Sequence, residues 1–92
     1  MVLSSTFEQK RQQVVQVLEA IANEVGAPRN VKKIATSAVK ELYNDKLSPS
    51  VRAANVIDMI EDVISDSNIP SYTRTQLWMV ISILETIKSG QY

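Results

Sequence analysis

The sequence predicts an all-α protein, a four-helix up-and-down bundle of antiparallel helices with short loops that contain proline. Three observations lead to this fold class. Apolar residues recur at helical spacing in four segments, no segment alternates with period two for long, and Pro28, Pro49 and Pro70 are spaced by 21 residues. Short loops force consecutive helices to lie antiparallel, and four amphipathic helices then enclose one core.

The first helix is predicted from an apolar stripe that runs from Phe7 to Val25 in steps of seven, four and three. Ser5 with Glu8 three residues later has the pattern of a capping box at its start. Gly26 follows the last residue of the stripe, where a left-handed residue that ends a helix favours glycine. Pro28 then suits the first turn of the next helix, because an amide there has no partner.

The other three helices are predicted from the same spacing. Ser48 is the expected N-cap of the third helix, with Pro49 at its first position, and Ser71 or Thr73 is the expected cap of the fourth. The stripes consist of Val31, Ile34, Ala35, Ala38, Val39 and Leu42; Val56, Ile57, Ile60, Val63 and Ile64; and Leu77, Val80, Ile81, Leu84 and Ile87.

The 21-residue spacing has two interpretations. It is typical of helices of similar length that share a loop style, and also of a helical repeat array. We favour the first, because the positions shared between segments are generic apolar ones. A stack of two helical hairpins is the alternative architecture, although it leaves more apolar edge uncovered.

Length and composition exclude most chemistry. Ninety-two residues correspond to one domain, expected to span residues 1–92. The chain has no Cys and no His, so it lacks thiolate ligands, the commonest metal ligand and the commonest general base. We therefore expect no enzyme activity and no cofactor. Asp58, Glu61 and Asp62 share one surface of the third helix, but that surface lies opposite the apolar stripe, so we expect a solvated face rather than a metal site.

The charges balance overall but are segregated along the chain. Six cations and two carboxylates lie between residues 27 and 54, and four carboxylates and no cation between residues 55 and 70. Cations are concentrated in first helical turns, which opposes the helix macrodipole. One interpretation is ion pairing with the end of the preceding helix, as between Asp66 and Arg74 or between Asp45 and Arg52. The other is an anion-binding cluster at helix N-termini. Its candidate residues are Arg29, Lys32, Lys33, Arg52 and Arg74.

The fourth helix contains residues that its core stripe does not need. Trp78 and Met79 project to its flank and back, beside Ser82 and Thr86, and such a face is typical of a contact with another protein. These four residues are the predicted partner interface, with a homodimer as the first possibility. Burial of Trp78 inside the same chain is the competing interpretation.

The start of the chain has no basic region followed by a long apolar stretch, so it does not predict a secretory signal. The longest apolar run, Leu77–Ile81, is far shorter than the ~20 residues that span a bilayer. We therefore expect a soluble, cytoplasmic protein with no membrane association.

Several stretches resemble a known family. They are Pro28–Val31, Leu47–Asn55, Arg74 with Trp78, and Ile83–Ile87. These are similar to the signature stretches of a small archaeal family known as uncharacterised protein family 0147, and the resemblance spans nearly the whole chain. It implies a compact four-helix fold in an archaeal cytoplasm. It implies no site residues, because the family has no established activity.

Two hypotheses of function follow. The first is a small, non-catalytic protein-interaction or scaffold protein that self-associates or docks a partner through the fourth helix. A short similarity of residues 49–54 to part of a HEAT repeat also favours protein binding. The alternative is a nucleic-acid or ribonucleoprotein accessory protein that binds phosphates through the basic cluster.

Overall fold

The computed structural model describes residues 6–92, which form four α-helices. These are α1 (Thr6–Ala22), α2 (Arg29–Leu42), α3 (Pro49–Glu61) and α4 (Ser71–Lys88). This part of the chain contains no β-strand, so the predicted fold class, an all-α four-helix bundle, is confirmed. The shared loop style is visible in the backbone. The N–H groups of Ala27, Leu47 and Ile69 each donate to the carbonyl three residues earlier, so one turn type joins all four helices.

The helices form a closed ring. α1 packs against α2 and α4, and α3 packs against the same two helices, so α2 and α4 lie diagonally across the bundle. Contact between the first and last helices is the feature that separates a bundle from two stacked hairpins. The radius of gyration is 12.7 Å, close to the ~12 Å expected for a folded domain of this length.

The ring has two ends, which we name by their connections. The two-loop end carries residues 23–28 and 62–70, and there α2 and α4 begin. The tail end carries residues 43–48 and the C-terminal residues 89–92, and there α1 and α3 begin. Side chains placed at these two ends are therefore separated by the length of a helix.

The predicted apolar stripes fill the core. Fully buried side chains come from all four helices: Val14, Leu18, Ile21, Ala38, Leu42, Ala53, Val56, Ile60, Val80, Leu84 and Ile87 are among them. Two polar residues, Arg52 and Thr73, are buried as well. Burial of this apolar surface is the main force that holds the helices together.

The helix starts agree in part with the sequence-based expectations. Pro49 is the first residue of α3, and the Ser48 hydroxyl accepts a hydrogen bond from the Val51 N–H (3.3 Å), as predicted. Pro28 and Pro70 instead immediately precede α2 and α4, at the N-cap position. Thr73 does not cap α4, because its buried hydroxyl bonds to the Glu24 carboxylate (2.8 and 3.0 Å).

The end of α1 differs from the prediction. The helix stops at Ala22, Val25 is 95% exposed instead of joining the apolar stripe, and Gly26 does not have a positive φ. The bond from Thr73 holds Glu24 in the loop, and Ala27 is buried at this end in place of Val25. The predicted capping box cannot be assessed, because Ser5 lies outside the described residues.

Candidate interaction surfaces on α4 and α2

The outer face of α4 carries an uncharged, largely apolar surface. At 100° per residue, Ser71, Tyr72, Thr75, Trp78, Met79 and Ser82 fall on one side of the helix. Tyr72, Trp78 and Met79 are 69%, 53% and 47% exposed. We call these six residues the α4 outer face. Glu85, one turn beyond Ser82 on the same side of the helix, is the first charged residue after this face.

Two of the hydroxyl groups near the middle of this face already donate hydrogen bonds within the helix. The Thr75 hydroxyl donates to the Ser71 carbonyl (3.1 Å), and the Ser82 hydroxyl donates to the Trp78 carbonyl (3.2 Å). Each hydroxyl therefore needs water less than a free one does, and its burial against another surface costs less free energy. The face is thus less polar than its composition indicates.

Thr86, the fourth predicted interface residue, lies on the same side of the helix, one turn beyond Ser82, but is less accessible than the other three. It is half-buried, and its hydroxyl accepts a hydrogen bond from the Lys10 ammonium group of α1 (2.9 Å) while donating to the Ile83 carbonyl (2.6 Å). Trp78, Met79 and Ser82 are the predicted interface residues that remain accessible.

The five cations of the predicted anion-binding cluster are divided by the fold. Arg52 lies at the tail end, a helix length away from the other four. Its guanidinium group is buried, donates to the Leu47 carbonyl (2.8 Å) and the Leu42 carbonyl (3.2 Å), and lies 5.5 Å from the centre of the Phe7 ring. It therefore satisfies the last carbonyl of α2 and a carbonyl of the following loop, and a positive charge at the end of α2 also complements the helix macrodipole.

Arg74 likewise bonds backbone carbonyls, at the connection between α3 and α4. Its guanidinium group donates to the carbonyls of Ile64 (3.0 Å) and Asp66 (2.6 Å), which follow α3. The sequence analysis expected these arginines to pair with carboxylates, but their contacts are with backbone carbonyls. An arginine in the first turn of one helix thus lies at the C-terminus of the helix before it, which resolves the apparent conflict with the macrodipole.

The remaining three cations line one open groove on the surface of α2. The groove has a volume of about 310 Å³ and is lined by Arg29, Lys32, Lys33, Thr36 and Ser37. We call it the α2 basic groove. Within the described residues, none of its cations makes an ion pair or a side-chain hydrogen bond. Thr36 also borders a second groove of about 270 Å³, with Glu19, Ala22, Val39 and Lys40.

Carboxylates form no comparable site. Asp58, Glu61 and Asp62 are all exposed on or just beyond α3. Residues 6–92 contain no group of three side chains placed to hold a metal ion. Nor does any helix in this range combine the length and hydropathy required to cross a bilayer.

A cluster of contacts at the tail end has no counterpart among the sequence-based predictions. The Phe7 and Tyr92 rings are tilted at 57° with centroids 5.7 Å apart, and the Arg11 guanidinium lies 5.0 Å from the Phe7 centroid and 4.3 Å from the Tyr43 centroid. Lys10 also donates to the Gln91 carbonyl. The cluster joins the first turns of α1 to Tyr43 and to the C-terminal residues, which are far from α1 in sequence, so only the folded chain brings these parts together.

The fold and its surfaces define a small helical protein with two accessible side-chain patches. Comparison with known proteins identifies its family. A family model described as uncharacterised protein family UPF0147 matches residues 1–87, and the chain belongs to this family.

Relatives from archaea carry the same family name and no activity. The chain is 43% identical over 81 residues to a UPF0147 protein of Sulfurisphaera tokodaii, covering 88% of this chain and 91% of the relative. It is also 43% identical over 86 residues to one from Aeropyrum pernix, covering 94% of each chain.

Two solved structures have a similar fold. The crystal structure of MMP1188, a protein of unknown function, superposes with a TM-score of 0.82 at 35% identity, covering 86% of this chain and 90% of that one. A UPF0147 protein from Thermoplasma acidophilum superposes with a TM-score of 0.81 at 29% identity, covering 87% and 94%. The family is uncharacterised, and neither structure title assigns a function.

Proposed function

We propose that this chain is a small non-catalytic interaction protein that pairs with a second copy of itself through the α4 outer face. One observation carries the proposal: three large side chains, Tyr72, Trp78 and Met79, are exposed together on an uncharged surface of one helix. Exposed apolar side chains scattered singly need no explanation, but several large ones on one helix face, a tryptophan among them, are typical of an interface.

The distribution of residues on the face favours an antiparallel pairing about a twofold axis. With the axis between Trp78 and Met79, Trp78 of each copy lies opposite Met79 of the other, and a thioether against an aromatic ring is a favourable contact. Thr75 lies opposite Ser82 in the same arrangement. These small side chains let the helices approach closely, and their hydroxyls already have partners.

The charge at the end of the face supports the same pairing. Glu85 of one copy lies opposite Tyr72 in the first turn of the other copy's α4. That turn contains no acidic residue of its own, so it lacks the negative charge that stabilises a helix N-terminus. A parallel pairing would instead bring the two Glu85 side chains together, where like charges repel.

The proposal also assigns the chain a single domain, residues 1–92, in the cytoplasm. The absence of Cys and His from the sequence supports a role without catalysis, because a nucleophile with its usual general base cannot be assembled from the remaining residue types. A scaffold role fits a protein of this size whose distinctive accessible features are surfaces rather than an enclosed pocket.

Sedimentation equilibrium between about 10 µM and 1 mM protein tests the pairing. A contact made by one helix belongs to the small class of interfaces, below about 1,200 Å² in total, so we expect a weak dimer. Met79→Glu places a charge in the centre of the contact and should weaken the dimer at least about tenfold. Val51→Glu is the matched control, because Val51 is exposed to a similar extent (44%) on α3 and should not affect association.

A chain that stays monomeric at about 1 mM would disprove the proposal, as would equal effects of the two glutamate variants. Glu85→Gln distinguishes the two orientations. The antiparallel pairing predicts a weaker dimer, because the partner's helix N-terminus loses a negative charge, whereas a parallel pairing predicts a tighter one.

A further inference from the structure

A concentration of positive charge lies on α2, the helix diagonally across the bundle from α4. α2 has four cations and one carboxylate in a chain with no net charge, and three of those cations line the α2 basic groove within two helical turns. The other lining residues, Thr36 and Ser37, bear hydroxyl groups and no charge. The groove is therefore a concentrated positive surface, to which Ser37 adds a hydroxyl donor, whereas the Thr36 hydroxyl already donates to the Lys32 carbonyl (3.1 Å).

The three pairs of consecutive helices differ in the contacts of one basic residue near the start of their second helix. The second helix of each hairpin has a basic residue at the same position, four residues after its N-cap. The N–H of this residue donates to the N-cap carbonyl in each case: Lys32 to Pro28, Arg52 to Ser48 and Arg74 to Pro70. The two arginines bond the carbonyls at the end of the preceding helix.

In the first hairpin the Asn23 side-chain amide donates to the Glu19 carbonyl in the last turn of α1 (2.9 Å), which also accepts a hydrogen bond from the Asn23 N–H (3.1 Å). Within the described residues Lys32 makes no hydrogen bond like those of its two counterparts, and it lines the groove with Arg29 and Lys33. Positive charges three and four residues apart in the first turns of a helix repel one another and oppose its macrodipole. No carboxylate within residues 6–92 pairs with them, so a bound anion would relieve both costs.

The shape of the groove indicates the class of anion. It is open and runs along one helix from residue 29 to residue 37, about 12 Å at 1.5 Å per residue, which matches three to four base pairs of duplex along its axis. No lining residue is buried, as a discrete pocket for a small phosphate would require. No lining residue is aromatic, whereas single-stranded nucleic acids are typically held by stacking on aromatic rings.

We propose that the α2 basic groove binds the phosphate backbone of a duplex nucleic acid without reading its sequence. Arg29, Lys32 and Lys33 each neutralise one phosphate, and Thr36 and Ser37 lie in reach of the same strand. Because α2 and α4 are diagonal in the ring, the groove stays free when α4 is in contact with a second copy, so this inference does not depend on the proposed dimer.

The test is fluorescence anisotropy of the full chain with labelled 20-base-pair duplexes, one of DNA and one of RNA, over a range of salt concentrations. Three neutralised phosphates predict a slope of log K against log salt of about −2.7, and hence a loss of about 40-fold in affinity from about 50 to 200 mM salt. Comparison of the affinities for the DNA and the RNA duplex identifies the preferred one. Binding of either with this slope supports the proposal.

The double variant Arg29→Ala/Lys33→Ala removes two exposed groove cations and should reduce the slope to about −0.9. The control, Lys46→Ala/Lys88→Ala, removes two exposed cations at the tail end and should leave the slope unchanged. Circular dichroism checks that both variants remain folded, and Met79→Glu should bind the duplex with the slope of the original chain.

Three results would overturn the inference. The first is the absence of salt-sensitive binding to both duplexes, and the second is an equal loss in the groove variant and the tail-end control. The third is competition by inorganic phosphate or by a single-stranded nucleic acid. If either displaces the duplex more strongly than a salt control of the same ionic strength, the groove is a different kind of site.

Discussion

Two buried polar residues show how single side chains connect parts of this fold. Arg52 is 8% exposed, and its guanidinium joins the end of α2 to the loop before α3 while lying against the Phe7 ring of α1. Thr73 joins the start of α4 to Glu24 in the loop after α1. Both therefore add polar links between the ends of neighbouring helices.

We predict that Arg52→Lys destabilises the protein by about 1–3 kcal/mol. A lysine ammonium group cannot reproduce the fork of donors that reaches two carbonyls, and a buried carbonyl left without a donor costs free energy. Urea unfolding measures the change. Arg29→Lys is the control, because Arg29 is exposed and makes no side-chain contact within the described residues, so its effect should stay within about 0.5 kcal/mol. Equal effects would show that the two carbonyl contacts contribute nothing.

At the scale of whole elements, the helices differ from one another mainly in how they end. α4 ends in a Schellman motif: Gln91 N–H donates to the Thr86 carbonyl (2.8 Å), Gly90 N–H donates to the Ile87 carbonyl (3.0 Å), and Gly90 has φ = 83°. α1 ends without a left-handed residue although Gly26 is available near its end. A glycine after an apolar stripe is therefore not sufficient to identify this motif.

The two glycines give opposite predictions. Gly90→Ala forces a side chain into the left-handed region and should cost about 1 kcal/mol, whereas Gly26→Ala should be neutral or stabilise by up to about 1 kcal/mol, because its φ is ordinary. An added Cβ at Gly26 meets its nearest neighbour, Pro70, at 4.0 Å, so there is room for it. Thermal unfolding followed by circular dichroism measures both. A Gly90→Ala variant as stable as Gly26→Ala would contradict the assigned motif.

At the scale of the molecule, the two sides of α4 differ in burial. Its inner side chains are part of the shared core, whereas Trp78 and Met79 contribute little to the folding of a single copy because about half of each is exposed. Stability and the proposed association therefore depend on different residues of the same helix and can be separated by substitution.

Leu84→Ala should destabilise the fold by about 2–5 kcal/mol at every protein concentration, because it removes a fully buried side chain and leaves a cavity. Met79→Ala, on the same helix, should lower the unfolding temperature only at high concentration, where dimers form. Thermal unfolding at two protein concentrations distinguishes them. A similar loss for Met79→Ala at low concentration would place this residue in the core.

Much of the architecture was predictable from the sequence, because helical stripes, prolines and short loops are local signals. The four helices, the Ser48 cap and most core residues follow from them. The exposure of Trp78 and Met79 also agrees with the pattern, since the apolar stripe of α4 is complete without them. Their role as an interface stays a prediction.

Tertiary structure decided what the cations do. Arg52, Arg74 and Lys32 look equivalent along the chain, yet two of them bond the carbonyls of a preceding helix and one lines an open groove. The end of α1 was likewise decided by Thr73, 49 residues from its partner Glu24. Local patterns determine which segments become helices, because each signal lies within a few residues. The partner of a long polar side chain depends on which helix ends the packing brings together, and that information exists only in the folded molecule.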